Sequence, residues 1–252
     1  VQVYAQTLLA VKLIKADPRV VGLNFVAPED HRIALRDYRQ HMRFVAELSA
    51  AFPSRPAGIA LHAGELTMGL VPPEDLGWHI RDAVATAGAT RIGHGIDIAY
   101  DDDMDGLLKT MAKQDVMVEI NLTSNDVILG ITGAAHPLPT YLEYGVPVTL
   151  STDDEGVSRI DLTHEYQRAA TTYNLGYSQL RGFARNSLQY SFLPGARLFE
   201  NPEKGQAVSA CANQDLGSTD TSRMCAEFLA ASPKATLQWE LEKRLSAFEA
   251  RF

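Results

Sequence analysis

The sequence predicts an α/β fold built as a (β/α)8 barrel, from three observations. Short apolar runs alternate with helix-like stretches at a spacing of about 30 residues, the length of a βα unit. The runs are continuously apolar rather than alternating, as in parallel strands buried on both faces. Acid or His residues end at least three consecutive runs, on the side where barrel active sites gather. A doubly wound sheet would instead centre its site on one crevice behind a Gly-rich phosphate loop. No such loop occurs in the sequence.

Taken in order, residues 1–8 read as the interior of a helix, and 20–26 as a strand. A helix is predicted over 33–51, with Leu35, Tyr38, Met42, Val45 and Leu48 at three- and four-residue steps. Residues 58–61 form the next strand, followed by a helix over 76–87 that Gly88 stops. A short strand at 90–93 leads to a helix over 103–113, then a strand at 116–121. A helix at 139–144 precedes a strand at 146–150, and two more helices cover 162–175 and 178–191. The tail leaves this rhythm. Residues 193–222, rich in Gly, Pro, Asn and Ser, read as a loop-rich insertion carrying Cys211. Residues 236–252 read as a closing amphipathic helix with Leu237, Trp239, Leu241, Leu245 and Phe248 on its apolar stripe, expected to pack on the barrel wall. Residues 1–252 are expected to be one portion of a single barrel domain, truncated at the N-terminal side.

The chain has 252 residues, 46% of them hydrophobic, and a net charge of −8 without any Lys/Arg-rich run. That argues against nucleic acid and anionic membrane as partners and suits a small molecule. No apolar stretch approaches the roughly 20 residues that span a bilayer. Cys211 and Cys225 lie in one polar segment. They fit either a local disulfide in an oxidising compartment or two thiols in a reducing one.

Three motifs carry chemistry: His62-Ala63-Gly64-Glu65, Arg91-Ile92-Gly93-His94-Gly95 and Ser151-Thr152-Asp153-Asp154. His62 and Asp153, each at the polar end of an apolar run, are the candidate metal ligands. Glu65 lies past the flexible Ala63-Gly64 pair, positioned to turn inward as a proton donor and acceptor. His94 between two glycines is a candidate hydrogen-bond partner for an attacking water, and Asp154 for the substrate. Each alone has a structural explanation, as a satisfied histidine, a turn or a helix cap. Their joint occurrence at the ends of separate parallel strands points to a metal-dependent hydrolytic site.

In this order and spacing, the three motifs resemble the adenosine deaminase family of zinc hydrolases. Phe25-Val26-Ala27-Pro28-Glu29-Asp30 and Asn186-Ser187-Leu188-Gln189-Tyr190-Ser191 are most similar to its secreted, growth-factor-type branch. The resemblance implies a metallo-hydrolase barrel present as strands four to eight. It implies zinc on His62 and Asp153, catalysis by Glu65, His94 and Asp153, and purine contacts from Asp154, Ala27 and Gly64. The reaction implied is hydrolytic deamination of adenosine or deoxyadenosine to inosine and ammonia. A related purine such as adenine or AMP, or a non-catalytic binding role, is the alternative.

Two departures from the family follow. Its remaining two zinc ligands come from a His-X-His motif on strand one. The seven histidines here are His31, His41, His62, His79, His94, His136 and His164, and no two are one residue apart. This polypeptide alone is therefore expected to be inactive, with a separate N-terminal fragment or self-association completing it. Ala27 stands where the family has a glycine that meets the purine, and Asn24 where it tends to have Asp. A periplasmic or secreted setting is expected ahead of a cytoplasmic one.

Overall fold

Apolar residues rich in Ile, Val and Leu form five short strands: β1 (Gly22–Leu23), β2 (Gly58–Ala63), β3 (Arg91–His94), β4 (Met117–Ile120) and β5 (Val148–Leu150). In the computed structural model, which describes residues 1–52 and 57–252, every neighbouring pair is parallel. The sheet order is β1-β2-β3-β4-β5. Each crossover thus steps in the same direction. Right-handed connections then keep the linking helices on one face, as in an arc of a barrel. A doubly wound sheet would reverse its order at a switch point. Leu61, Ile92, Met117, Val118 and Ile120 are fully buried along these strands.

The helices of this unit are α1 (Gln2–Ala16), α2 (Arg32–Ala50), α3 (His79–Ala85), α4 (Met104–Lys113), α5 (Leu122–Leu129), α6 (Leu138–Glu143), α7 (Glu155–Ser158) and α8 (Leu162–Tyr173). The stripe predicted for α2 is the buried one: Tyr38, Met42, Val45 and Leu48 all face inward. Caps sit where the sequence supplies them. Asp103 accepts from the Gly106 N–H at 3.1 Å and Asp161 from the His164 N–H at 2.9 Å.

Several elements differ from expectation. The strand predicted over 20–26 contracts to β1, because Asn24 leaves the ladder to hold His62. The helix predicted from residue 76 starts at His79, after a 3-10 turn at Pro73–Asp75. Between β4 and α6 lies α5, which its Thr, Ser and Asn content does not announce.

The chain divides into two compact units, Val1–Asn174 and Leu175–Phe252. The second holds α9 (Tyr177–Gln189), an antiparallel pair β6 (Phe199–Asn201) and β7 (Gln206–Ala207), α10 (Arg223–Ala230) and α11 (Pro233–Glu249). Cys211 and Cys225 form a disulfide. Helix α11 packs on α9 and α10 within this unit. Its buried face shares only Trp239 with the predicted apolar stripe. Lys234, Ala235, Gln238, Trp239 and Glu242 are inside, whereas Leu237 and Phe248 are 44% and 46% exposed. The polar residues turn inward because each finds a partner. Gln238 accepts from the Leu198 N–H at 2.8 Å, and Glu242 grips Arg185 through two bonds of 2.7 Å.

Candidate active site

The C-terminal ends of all five parallel strands meet at one place. Asn24 follows β1, His62 lies in β2, His94 ends β3, Asn121 follows β4, and Asp153 comes three residues after β5. The Asn24 side-chain oxygen is 3.1 Å from both the backbone nitrogen and Nδ1 of His62. An oxygen that accepts the backbone N–H must also accept from the ring. His62 therefore carries its proton on Nδ1 and presents a free Nε2 lone pair. Donor atoms of His62, Glu65 and His94 lie within 4.8 Å of one another, a group able to hold a metal ion. Glu65 Oε1 is 3.5 Å from His94 Nδ1 and is buried without a hydrogen-bond partner. Asp153 Oδ2 accepts from the Ser124 hydroxyl at 2.7 Å and lies 3.9 Å from His94 Nε2.

The Gly64–Glu65 turn is clamped from both sides. The two carboxyl oxygens of buried Glu29 accept the Gly64 and Glu65 N–H groups at 2.9 and 2.7 Å. The Gly64 carbonyl accepts the Ile96 and Asp97 N–H groups at 2.8 and 3.1 Å. Gly64 has φ +76°, and an added methyl would run into Asp97 Oδ1 and Ile80. His94 and Asp153 also sit in the left-handed region, at φ 70° and 53°. Such strain in non-glycine residues persists where surrounding structure imposes it, and it clusters at functional sites.

Burial sets the electrostatics. It raises Glu65 to about 7, helped by Asp153, Asp154 and Asp30. It raises Glu29 to about 8, against the N–H bonds Glu29 accepts. Burial and His62 lower His94 to about 4 against the pull of Asp153, so its ring is neutral at pH 7. Glu65 is thus poised to hold or release a proton near neutrality, where acid–base catalysis is most effective.

A cavity of about 320 Å³, within the range of small-molecule sites, brings together His62, Glu65, Asp153, Asp154 and Ala27. Gly64 stands apart, buried in its turn with N–H and carbonyl both engaged. Sequence reasoning missed the supporting residues Glu29, Asn121, Ser124, Asn125 and His136. Asn121, Ser124 and Asn125 were legible as polar residues at the end of and just past an apolar strand, the same signal that marked Asp153.

A His and carboxylate group able to hold a metal, at the C-terminal ends of parallel strands, is the arrangement on which metal-dependent barrel hydrolases are built. The adenosine deaminase family profile matches residues 4–200, and the chain belongs to that family. It is 38% identical over 143 residues to an adenosine deaminase of Escherichia coli (strain SE11), a match covering 56% of this chain and 40% of that protein. The N6-mAMP deaminase of Arabidopsis superposes with a TM-score of 0.56 at 25% identity, over 76% of this chain and 52% of that one. An amidohydrolase from Burkholderia ambifaria, solved with bound Zn, gives 0.60 at 16% identity over 97% of this chain and 56% of that one. The chain spans less than two thirds of the length of each of these relatives.

Proposed function

We propose that this chain supplies the proton-handling part of a site that hydrolyses adenosine or deoxyadenosine to inosine and ammonia. The observation that carries the reading is Glu65: a half-buried carboxyl whose Oε1 is buried and unpaired, held at about 7, in the cavity that His62, Asp153 and Asp154 also line. The donor set suits a divalent metal, because Asn24 leaves His62 Nε2 free and aimed away from its own support. His62 and Asp153 would hold zinc, which when bound supplies Lewis acidity and makes water nucleophilic at neutral pH. The named Zn in the Burkholderia amidohydrolase supports that choice of ion.

Glu65 then delivers its proton to a purine ring nitrogen as a water oxygen adds to the amine-bearing carbon; one water proton restores Glu65, and the other leaves with the amino group as ammonia when the C–N bond breaks. His94 hydrogen-bonds to the incoming oxygen, which is where charge develops. Asp154 meets a second ring nitrogen, and Ala27 offers a backbone N–H to the purine. A binding-only scaffold would have no use for an unpaired buried carboxyl oxygen or for strain at His94 and Asp153.

The lining of the cavity supports a nucleoside over a nucleotide. Glu29, Asp30, Glu65, Asp153 and Asp154 line it, with no Lys or Arg among its described lining residues. A phosphate would meet the acidic groups of Asp30, Asp153 and Asp154 with no cation in the described lining to balance it, which disfavours AMP. Ammonia release measured across adenosine, deoxyadenosine, adenine and AMP, in a preparation complete in its metal ligands, is expected to favour the nucleosides. AMP as the best substrate would overturn this assignment.

Two ligands hold a catalytic zinc poorly, since such sites usually use three from the protein. We assign the remainder to a polypeptide segment bearing His-X-His, and the 252-residue chain alone is then inactive. Support comes from β1, which among the described residues pairs on one side only, with β2. Beside it lies a cavity of about 570 Å³ bordered by α1, α2, Asn24 and His62. A second copy of this chain could cover that edge but carries no His-X-His to finish the cage. The Cys211–Cys225 disulfide favours an oxidising, periplasmic or secreted setting.

A further inference from the structure

Behind His94, away from the cavity, runs a line of buried hydrogen bonds that the proposed chemistry does not use. The Leu138 N–H donates to His136 Nδ1 at 3.0 Å. His136 Nε2 is 3.2 Å from Asn125 Oδ1, and Asn125 Nδ2 is 2.9 Å from His94 Nδ1. His94 and Asn125 are fully buried and His136 is 2% exposed, so water does not compete for these bonds.

A second amide touches the ring: Asn121 Nδ2 is 3.4 Å from both His94 nitrogens while its own Oδ1 has no partner, and with that amide turned over the oxygen accepts from Nε2–H. With Asn121 so placed, the line has one consistent assignment. A backbone N–H can only donate, so His136 Nδ1 must be the acceptor and its ring proton must sit on Nε2. Nε2–H then donates to Asn125 Oδ1. Turning the Asn125 amide over would aim its NH2 at His136 Nε2. That would leave a neutral His136 with two acceptor nitrogens and no site for its proton. The amide is therefore fixed, its N–H donates to His94 Nδ1, and the proton of His94 is left on Nε2. That nitrogen faces Asp153 Oδ2 at 3.9 Å.

We infer that His136 is a positioning residue that acts through Asn125 to fix the tautomer of His94, holding Nε2–H toward the reacting oxygen. Two consequences follow for the site. The only lone pair of His94 is taken by Asn125, so His94 serves as a hydrogen-bond donor rather than a metal ligand. Glu65, 3.5 Å from that same Nδ1, has no free acceptor there and keeps its proton for the substrate. The second consequence rests on the deaminase reading above; the tautomer itself does not.

The test is side-chain ¹⁵N–¹H correlation NMR of the metal-free, substrate-free 252-residue chain with ¹⁵N-labelled histidine. Wild type is expected to show His94 and His136 both protonated on Nε2 with bare Nδ1. Asn125→Asp replaces the amide donor by an acceptor and is expected to move the His94 proton to Nδ1. His136→Phe frees the amide and is expected to give a mixture of tautomers, whereas His136→Gln keeps the Nε2-type donor and restores the wild-type pattern. Nδ1–H on His94 in the wild type, or an unmoved pattern in the folded Asn125→Asp protein, overturns the inference. The wild-type spectrum decides even if a variant does not fold. In an active, metal-complete deaminase, His136→Phe is expected to lower kcat about 10- to 100-fold with little change in KM, and His136→Gln to recover most of it. Absence of deamination in the wild-type preparation would instead strike the functional reading and leave the tautomer result standing.

Discussion

Gly64 carries more constraint than any other single residue of the site. Its positive φ, its two engaged backbone groups and the packing of Asp97 and Ile80 against its Cα leave no room for a side chain. Gly64→Ala is expected to cost about 1–3 kcal/mol, read as a lower Tm, and to misplace Glu65. Asp97, beneath the same turn, is raised from 3.8 to about 6, chiefly by burial. An acid whose folded pKa is raised is best tolerated protonated. Its full contribution is present below about 4 and is lost as pH rises through about 6. Asp97→Asn removes that loss, so its Tm should exceed the wild type's at pH 8 by an amount that vanishes near pH 4. A constant difference across that range would show that Asp97 does not titrate as described. The sequence made His62, Glu65, His94 and Asp153 visible because chemistry-bearing residues stood at the ends of apolar runs. It hid Glu29 and His136, because a buried carboxyl or imidazole has no pattern of its own; only the fold reveals what each touches.

At the level of elements, periodicity located α2 and the buried parallel strands because apolar side chains decide those segments. It failed where polar side chains are the ones buried. Helix α5 buries Thr123, Ser124 and Asn125, residues of weak helix propensity that the site recruits. Helix α11 buries Gln238 and Glu242 in place of Leu237. The Arg185–Glu242 pair, 3% and 5% exposed, is the pivot of that packing. Arg185→Met is expected to destabilise by about 3–5 kcal/mol by stranding a buried carboxylate, with most of it regained in the Arg185→Met/Glu242→Leu double variant. Denaturant melts of the three proteins check this. A single variant as stable as wild type would mean Glu242 is solvated rather than paired.

For the whole molecule, the monotonic order of five parallel strands was legible from the repeated βα rhythm, and it places every site residue on one rim. The division at Asn174 was not, since helices α8 and α9 read alike on either side of it. The central claim is that this chain holds Glu65, His94, His62 and Asp153 ready while part of the metal cage comes from elsewhere. Its most direct test is conversion of adenosine to inosine in the presence of zinc, by the 252-residue chain with and without a polypeptide carrying the family's His-X-His strand. The account predicts no conversion by the chain alone and conversion once that strand is supplied, abolished by His62→Ala. Turnover by the chain alone, or none after the strand is shown to bind, would contradict it.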